Sequence, residues 1–343
     1  MRNVSADLLR IICCMMIIGI HSTPDYSMLV KLKEPDAIVF QSLIIQSVVR
    51  IGLPVFFMMS GYFLLNRNSE SLFLGYKKRF VSLLIPFFIY AFLNYYFQHE
   101  DIFEREGVSG FFRLLLESKT AISTHLWFVY VLTGIYIIIP AIKVVTDSIP
   151  NDKSIIAIVV IAIICSWFAY ENQLAKIWPD YKIIVPIPRI DVWLGYFVIG
   201  GLLYRVDISK KSAFLLLVVS LPIQILFTWL SENSLGFDTK PYDFGLNMFL
   251  SASAMILFIN KLSIQNHSFF SKVILFLAPY TYGIYLIHIV VIKWVSDYFS
   301  VPLVVNMVIV KTISYIFIVF ILSLVIALLV DNLIVRRIIS LVR

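Results

Sequence analysis

Charge is scarce in this chain. Asp, Glu, Lys and Arg together make up 14% of its 343 residues, against roughly a quarter in ordinary soluble proteins. Hydrophobic residues make up 60%, and the mean hydropathy is +0.90. A single water-soluble core of this length is excluded, and a polytopic membrane protein is what remains. Cysteine is nearly absent too: Cys13 and Cys14 lie side by side in one apolar run and Cys165 in another. That spacing excludes a disulfide framework and a thiolate metal site, so packing or lipid-facing roles are expected and no metal ion. Also missing are a Pro/Ser-rich linker, a low-complexity tract, a soluble appendage and any visible internal repeat or pair of matching Gly/Pro-broken helices of the kind transporters built from inverted halves show. The chain therefore reads as one integral membrane domain over residues 1–343. Acids are outnumbered by bases, leaving a net charge of +7. The bases sit in short clusters between apolar runs, which fits membrane topology and gives nucleic acid no continuous basic surface.

What is present is apolar length. A bilayer core about 30 Å thick takes roughly 20 helical residues. Ten segments meet that description: Val4–Ser22, Ser42–Leu65, Phe80–Phe97, Leu126–Val145, Ser154–Tyr170, Ile190–Tyr204, Ala213–Leu230, Phe244–Ile259, Val273–Val295 and Pro302–Val330. The first is about a full span and no small-residue cleavage site follows it, so it reads as a retained helix. With the N-terminus inside, Arg67, Lys77, Lys78, Arg79, Arg205, Lys210, Lys211, Lys261, Lys272, Arg336, Arg337 and Arg343 all fall in inner loops or the inner tail. The expected fold is thus all-α, with about ten transmembrane helices and both termini cytoplasmic. The acid-rich stretch 98–124 becomes an outer loop, with a short interfacial helix through "GFFRLLLESK".

Ionisable groups inside spans are costly, and each is a functional candidate. Arg10 and His21 lie eleven positions apart in the first span. At about 100° per residue they share one helix face, separated by about 16 Å along the axis. Two readings stand: a functional pair, or an Arg10 that snorkels and pairs with Asp7 beside a His21 that marks the outer interface. In the second span, "SVVRIGLPVFFMMSGYFLL" buries Arg50, which needs an anionic or carbonyl partner. Pro54 loosens the helix after it, and Ser60 with Gly61 suits either close helix packing or chemistry. The inner cluster at Lys77, Lys78 and Arg79 either sets topology alone or holds a phosphate-rich donor, since arginine binds phosphate bidentately. His125 and Trp127 sit at the outer mouth of the fourth span. His288 reads as a buried, hydrogen-bonded core residue, while His99 and His267 lie in loops.

Taken together, these residues resemble the acyltransferase 3 family of integral membrane acyltransferases, most of all its shorter members, those that O-acetylate enterobacterial common antigen. The matching elements are Arg10 and His21 with ten residues between them, "RIGLPVFFMMSGYFL", the bases before "LLIPFFIY", "HLWFVYVL" and "YGIYLIH". They run through nearly the whole chain in the family's order. The resemblance implies ten core helices in a bacterial cytoplasmic membrane. It implies an acyl group, acetyl above all, taken from cytosolic acyl-CoA as co-substrate and moved to a hydroxyl of a cell-envelope polysaccharide or lipid-linked sugar, with no tightly bound cofactor. It carries His21 and Arg10 over as catalytic residues and the bases before the third span as donor-binding. Where many members have two arginines three apart, this chain reads Lys-Lys-Arg, so Arg79 carries that implication more firmly than Lys77. Arg50, Ser60, His125 and Trp127 are the further candidates for substrate binding. A transporter or flippase of an envelope precursor, with the buried charges lining a path, is the alternative; a sensing or anchoring module ranks below it, because the chain ends at Arg343 without a soluble domain. A homo-oligomer is compatible with all of these.

Overall fold

The computed structural model describes residues 3–24, 26–66, 72–177, 190–233, 245–262, 264, 268–298 and 308–342. Arg67, Phe244, His267, Pro302 and Arg343 lie outside the described residues. Among the described residues there is helix and no strand. In chain order the helices are α1 (Val4–Ser22), α2 (Tyr26–Lys31), α3 (Asp36–Val49), α4 (Gly52–Leu64), α5 (Leu72–Gln98), α6 (Glu100–Glu106), α7 (Val108–Glu117), α8 (Trp127–Ile137), α9 (Ile139–Asp147), α10 (Ser154–Ile177), α11 (Val192–Leu203), α12 (Lys210–Asn233), α13 (Leu246–Asn260), α14 (Phe269–Leu277), α15 (Thr281–Tyr298), α16 (Val308–Val330) and α17 (Arg336–Val342).

Among the described residues, six stretches are long and apolar enough to cross a bilayer: Val4–Ser22, Asp36–Leu64, Lys77–Gln98, Lys210–Leu230, Phe269–Ser296 and Val308–Val342. The pair α8 and α9, bent by 62°, makes a seventh if it is one span. The chain is a multi-pass membrane protein. Helix α12 shows how it meets lipid, with Phe214, Leu215, Val218, Val219 and Leu226 exposed along its length; such a surface is tolerable only against acyl chains. Where they are described, the ten apolar segments read from the sequence fall on helix, but α11 and α13 are 12 and 15 residues long, short of the roughly 20 a straight crossing takes.

Several breaks in the long apolar runs fall at proline, although Pro86 and Pro222 lie inside the unbroken α5 and α12. The proline ring removes an N–H and crowds the carbonyl four residues back. Pro54 does this at Arg50, and α3 gives way to α4 at Arg50 and Ile51. Pro140 does it at Tyr136, and α8 turns into α9. Pro279 sits in the 3-10 turn Ala278–Tyr280 that divides α14 from α15.

The helices group into two compact units. Unit 1 holds α1–α4 and α9–α13; unit 2 holds α5–α8, α15, α17 and most of α16. Unit 1 is organised by glycine. A Cβ on Gly61 would lie 1.7 Å from the carbonyl oxygen of Phe197, and one on Gly200 would lie 1.9 Å from that of Met58, so α4 and α11 touch backbone to backbone. Gly52 lets α4 approach Cys13 and Met16 of α1 in the same way, and Gly195 seats the Cys165 thiol. All three cysteines are buried packing residues. Between α12 and α13, Asn247 donates to the Gln224 side-chain oxygen at 2.6 Å and Ser251 to the Ser220 carbonyl at 3.2 Å.

Helix α2 ends on a crossed pair of hydrogen bonds, Glu34 N–H to the Leu29 carbonyl and Lys33 N–H to that of Val30. This cap requires a left-handed residue at its first position past the helix, normally glycine. Lys33 occupies it with φ of 55°, at a cost of about 1 kcal/mol relative to glycine.

In unit 2, α7 is the short helix expected through "GFFRLLLESK". Phe111, Leu114 and Leu115 turn inward, while Phe112 and Leu116 stay exposed. Arg113 bridges Glu106 at 2.8 Å and Glu117 at 3.1 Å, and its guanidinium holds the Glu106 carboxyl below the usual carboxylate range.

Candidate functional site

In unit 1 the sequence candidates gather along α1. The helix is unbroken from Val4 to Ser22, so Arg10 and His21 share a face about 16 Å apart. His21 lies in the last turn and is exposed. The chain leaves α1 at a fixed angle: Thr23 caps it through the Gly19 carbonyl, with its N–H at 3.0 Å and its hydroxyl at 2.7 Å. The Pro24 carbonyl then accepts from Ser42 Oγ at 2.6 Å and Gln46 Nε2 at 2.8 Å. Ser42, Gln46 and Arg50 recur every four residues and so line one face of the incoming helix. Since Gln46 meets Pro24, Arg50 sits one turn deeper, about 6 Å below, level with His21. Its guanidinium acts electrostatically on the His21 ring. The break that Pro54 forces falls at this arginine, so the end of α3 presents a half-buried cation opposite an exposed imidazole.

Arg10 makes the ion pair expected of it, Nη1 to Asp7 Oδ1 at 2.9 Å, with Asp7 buried and the Arg10 side chain 42% exposed. Its guanidinium carbon also lies 5.7 Å from the centre of the Phe63 ring on α4. That one contact to Asp7 uses a single nitrogen of the fork, and the cation stays accessible for an anion. Ser60 is half-buried and returns its hydroxyl to the Phe56 carbonyl of its own helix at 3.0 Å; its neighbour Gly61 is the packing residue already described.

In unit 2, Lys77, Lys78 and Arg79 lie near the start of α5, the two lysines exposed and Arg79 half-buried. Trp127 opens α8 half-buried, with the Lys119 ammonium 6.0 Å from its ring centre. His125 lies in the 3-10 turn just before it and is buried. Its Nε2 faces the Leu286 carbonyl at 3.1 Å and its Nδ1 faces Ser123 Oγ at 3.0 Å. A carbonyl only accepts, so Nε2 carries the proton and Nδ1 accepts from the serine hydroxyl. Gln98 reaches the same serine at 3.3 Å and the Asn94 oxygen at 2.7 Å, and Asn94 also donates to the Leu286 carbonyl at 2.8 Å. Tyr285 Oη donates to the His125 carbonyl. The His288 ring stands 4.7 Å from that of His125, centre to centre, with its Nδ1 donating to the Tyr285 carbonyl. His288 is thus the buried, hydrogen-bonded residue the sequence indicated.

With both ring nitrogens engaged, any substrate contact by His125 has to displace one of these bonds. His125→Ala is expected to cost about 2 kcal/mol, the price of a broken buried network, read as a clear fall in melting temperature in detergent; an unchanged melt contradicts the assignment.

The amides Asn94 and Gln98, and the buried Asp331 that accepts from Tyr90 Oη at 2.8 Å, were not among the sequence candidates. Their signal was available: two amides at i, i+4 inside an apolar span, and an acid at the end of the last one.

No curated protein matches this chain, and neither does any solved structure. An acyltransferase domain is matched over residues 3–331, which contains every candidate above. The chain belongs to the acyltransferase 3 family and is an acyltransferase of groups other than aminoacyl.

Proposed function

We propose that the protein moves an acyl group, acetyl above all, from cytosolic acyl-CoA to a hydroxyl of a cell-envelope polysaccharide or lipid-linked sugar. Its place is the bacterial cytoplasmic membrane, with ten membrane-crossing segments and both ends inside. The acyl group and the acceptor class are what the sequence resemblance to the shorter family members, such as those that acetylate enterobacterial common antigen, implies. The observation that carries the reading is the exposed His21 facing Arg50 at one end of α1, with Arg10 on the same helix face about 16 Å away.

O-acylation needs a base for the hydroxyl proton, and imidazole is suited to it near neutral pH. His21 takes that proton while the hydroxyl oxygen attacks the thioester carbonyl carbon. The new C–O bond forms, the C–S bond breaks, and the CoA thiolate leaves and is reprotonated. Arg50 provides the cation for the oxyanion of the tetrahedral intermediate. Arg10 is the cation on the donor side; Lys77 and Arg79, near the start of α5, are by the same chemistry candidates for a phosphate. Direct attack and a short-lived acyl-His21 are separated by rapid quench with labelled acyl-CoA, which traps label on the protein only in the second case.

The test is purified protein in detergent with labelled acetyl-CoA and envelope glycan. The expected result is base-labile label on the glycan with stoichiometric release of CoA. Glycan movement into vesicles without ester formation speaks for the transporter instead.

On the donor side, Arg79→Ala is expected to weaken acyl-CoA binding about five- to tenfold, less so at high salt. Arg10→Ala should damage both binding and turnover, with Arg10→Lys only partly restoring them, because a point charge does not replace the fork. Unchanged affinity in a direct titration reduces the α5 cluster to a topology signal.

A further inference from the structure

A cleft of about 560 Å³ opens in unit 1 between the end of α2, the start of α3 and the far end of α12. Its volume falls in the range of roughly 300–1,000 Å³ usual for small-molecule sites. Three aromatic rings line it: Tyr26, buried beneath, and Phe40 and Trp229, 56% and 43% exposed. Between them the rim carries Lys33, Glu34 and Asp36. Packing beneath α2 and α3 is provided by Leu29, Ile38 and Val308, and the Ser42 and Gln46 bonds to Pro24 lock the same loop to α1. The cleft is therefore built on fixed elements.

We infer that this cleft is a carbohydrate subsite that holds the acceptor glycan beside His21. The inference rests on the glycan acceptor proposed above and supplies the residues that would select it. Sugar rings present one apolar C–H face and an edge of hydroxyls. Aromatic rings match the first, having large rigid faces, and carboxylates match the second, accepting hydroxyl hydrogens in charge-assisted bonds. One lysine against two acids leaves the rim at a formal charge of −1, which opposes a bare phosphate and so disfavours a phospholipid headgroup.

Position agrees. Tyr26 follows His21 by five residues, so the cleft begins within about 18 Å of the candidate base even with that segment fully extended. Under the charge-derived topology, the end of α1, the start of α3 and the end of α12 all emerge on the outer side, where an envelope glycan resides. The cap at Lys33 adds a second mark. Glycine would satisfy its left-handed backbone without strain, yet a long cationic side chain is held there at the lip of the cleft.

The test uses the full-length protein in detergent, titrated with neutral hexose and N-acetylhexosamine oligosaccharides of two to four units. Binding is read by calorimetry and saturation-transfer NMR. At least one oligosaccharide should bind. Trp229→Ala should weaken it about tenfold, as truncation of an aromatic anchor does. Trp229→Phe should cost much less, and the double variant Glu34→Gln with Asp36→Asn about tenfold again. Melting temperatures confirm folding; if Trp229→Ala fails to fold, the isosteric acid variants carry the test. No binding by any oligosaccharide, or equal binding by all variants, overturns the subsite. So does displacement of bound oligosaccharide by phosphatidylglycerol vesicles, which would mark a headgroup site. Acylation of glycan with KM unchanged in the variants sinks the subsite and leaves the proposed function standing. Oligosaccharide bound at the cleft by a protein that never acylates it does the reverse.

Discussion

His21→Ala is expected to abolish acyl transfer, by on the order of 10²- to 10⁴-fold in kcat, the usual contribution of a positioned base. Acyl-CoA affinity should stay nearly intact. A base that removes the acceptor's proton acts in the transition state and contributes little to ground-state binding of the donor. The two effects therefore separate in a titration and a turnover assay on one preparation. His21 is exposed in the last turn of α1, whose end is set by Thr23 and Pro24, so the variant should fold. His21→Ala that keeps most of its activity on the true acceptor returns this residue to the role of an interface histidine.

The largest structural effect is expected at the α4 and α11 crossing. Alanine at Gly61 or Gly200 places a methyl group 1.7 or 1.9 Å from a backbone carbonyl oxygen of the opposite helix. Backbone cannot swing aside as the tip of a side chain can, so the two helices must part. The penalty should reach or exceed the upper end of ordinary overpacking, about 3 kcal/mol, seen as loss of monodisperse protein on size exclusion. Gly134→Ala is the control. A Cβ there meets nothing within 4 Å, and alanine is the better helix former by about 1 kcal/mol, so its melting temperature should hold or rise. Gly61→Ala that purifies and melts like the parent contradicts the backbone contact.

Apolar length was legible because lipid permits little else: α1 has the predicted limits to the residue, α11 and α13 differ by one or two residues at each end, and α10 runs on past its expected end at Tyr170 to Ile177. The breaks were less so. Within an apolar run the eye follows hydropathy, while Pro54, Pro140 and Pro279 act on the carbonyl four residues back and divide segments that hydropathy joins. The amphipathic start of α3, "DAIVFQ", was too polar to be counted with the span it opens. The face shared by Arg10 and His21 followed from helix periodicity alone. That Arg50 stands level with His21 did not, because it depends on Ser42 and Gln46 reaching Pro24, a contact across the turn that no spacing announces. Gly61 was readable as a packing residue, but its partner was not, since a small residue says how close a helix can come and not which one comes. The pairing of His125 with His288 joins residues 163 positions apart, and a lone histidine in an apolar run gives no sign of it.

The most direct test of the central claim is acyl transfer across a sealed membrane. Inside-out vesicles containing the protein and an envelope glycan in the lumen are given labelled acetyl-CoA from outside, the cytosolic face. The account predicts base-labile label on the lumenal glycan, dependent on His21 and absent when the labelled acetyl-CoA is confined to the lumen. Label that stays on CoA while intact glycan crosses the membrane, or equal transfer from either side, contradicts it.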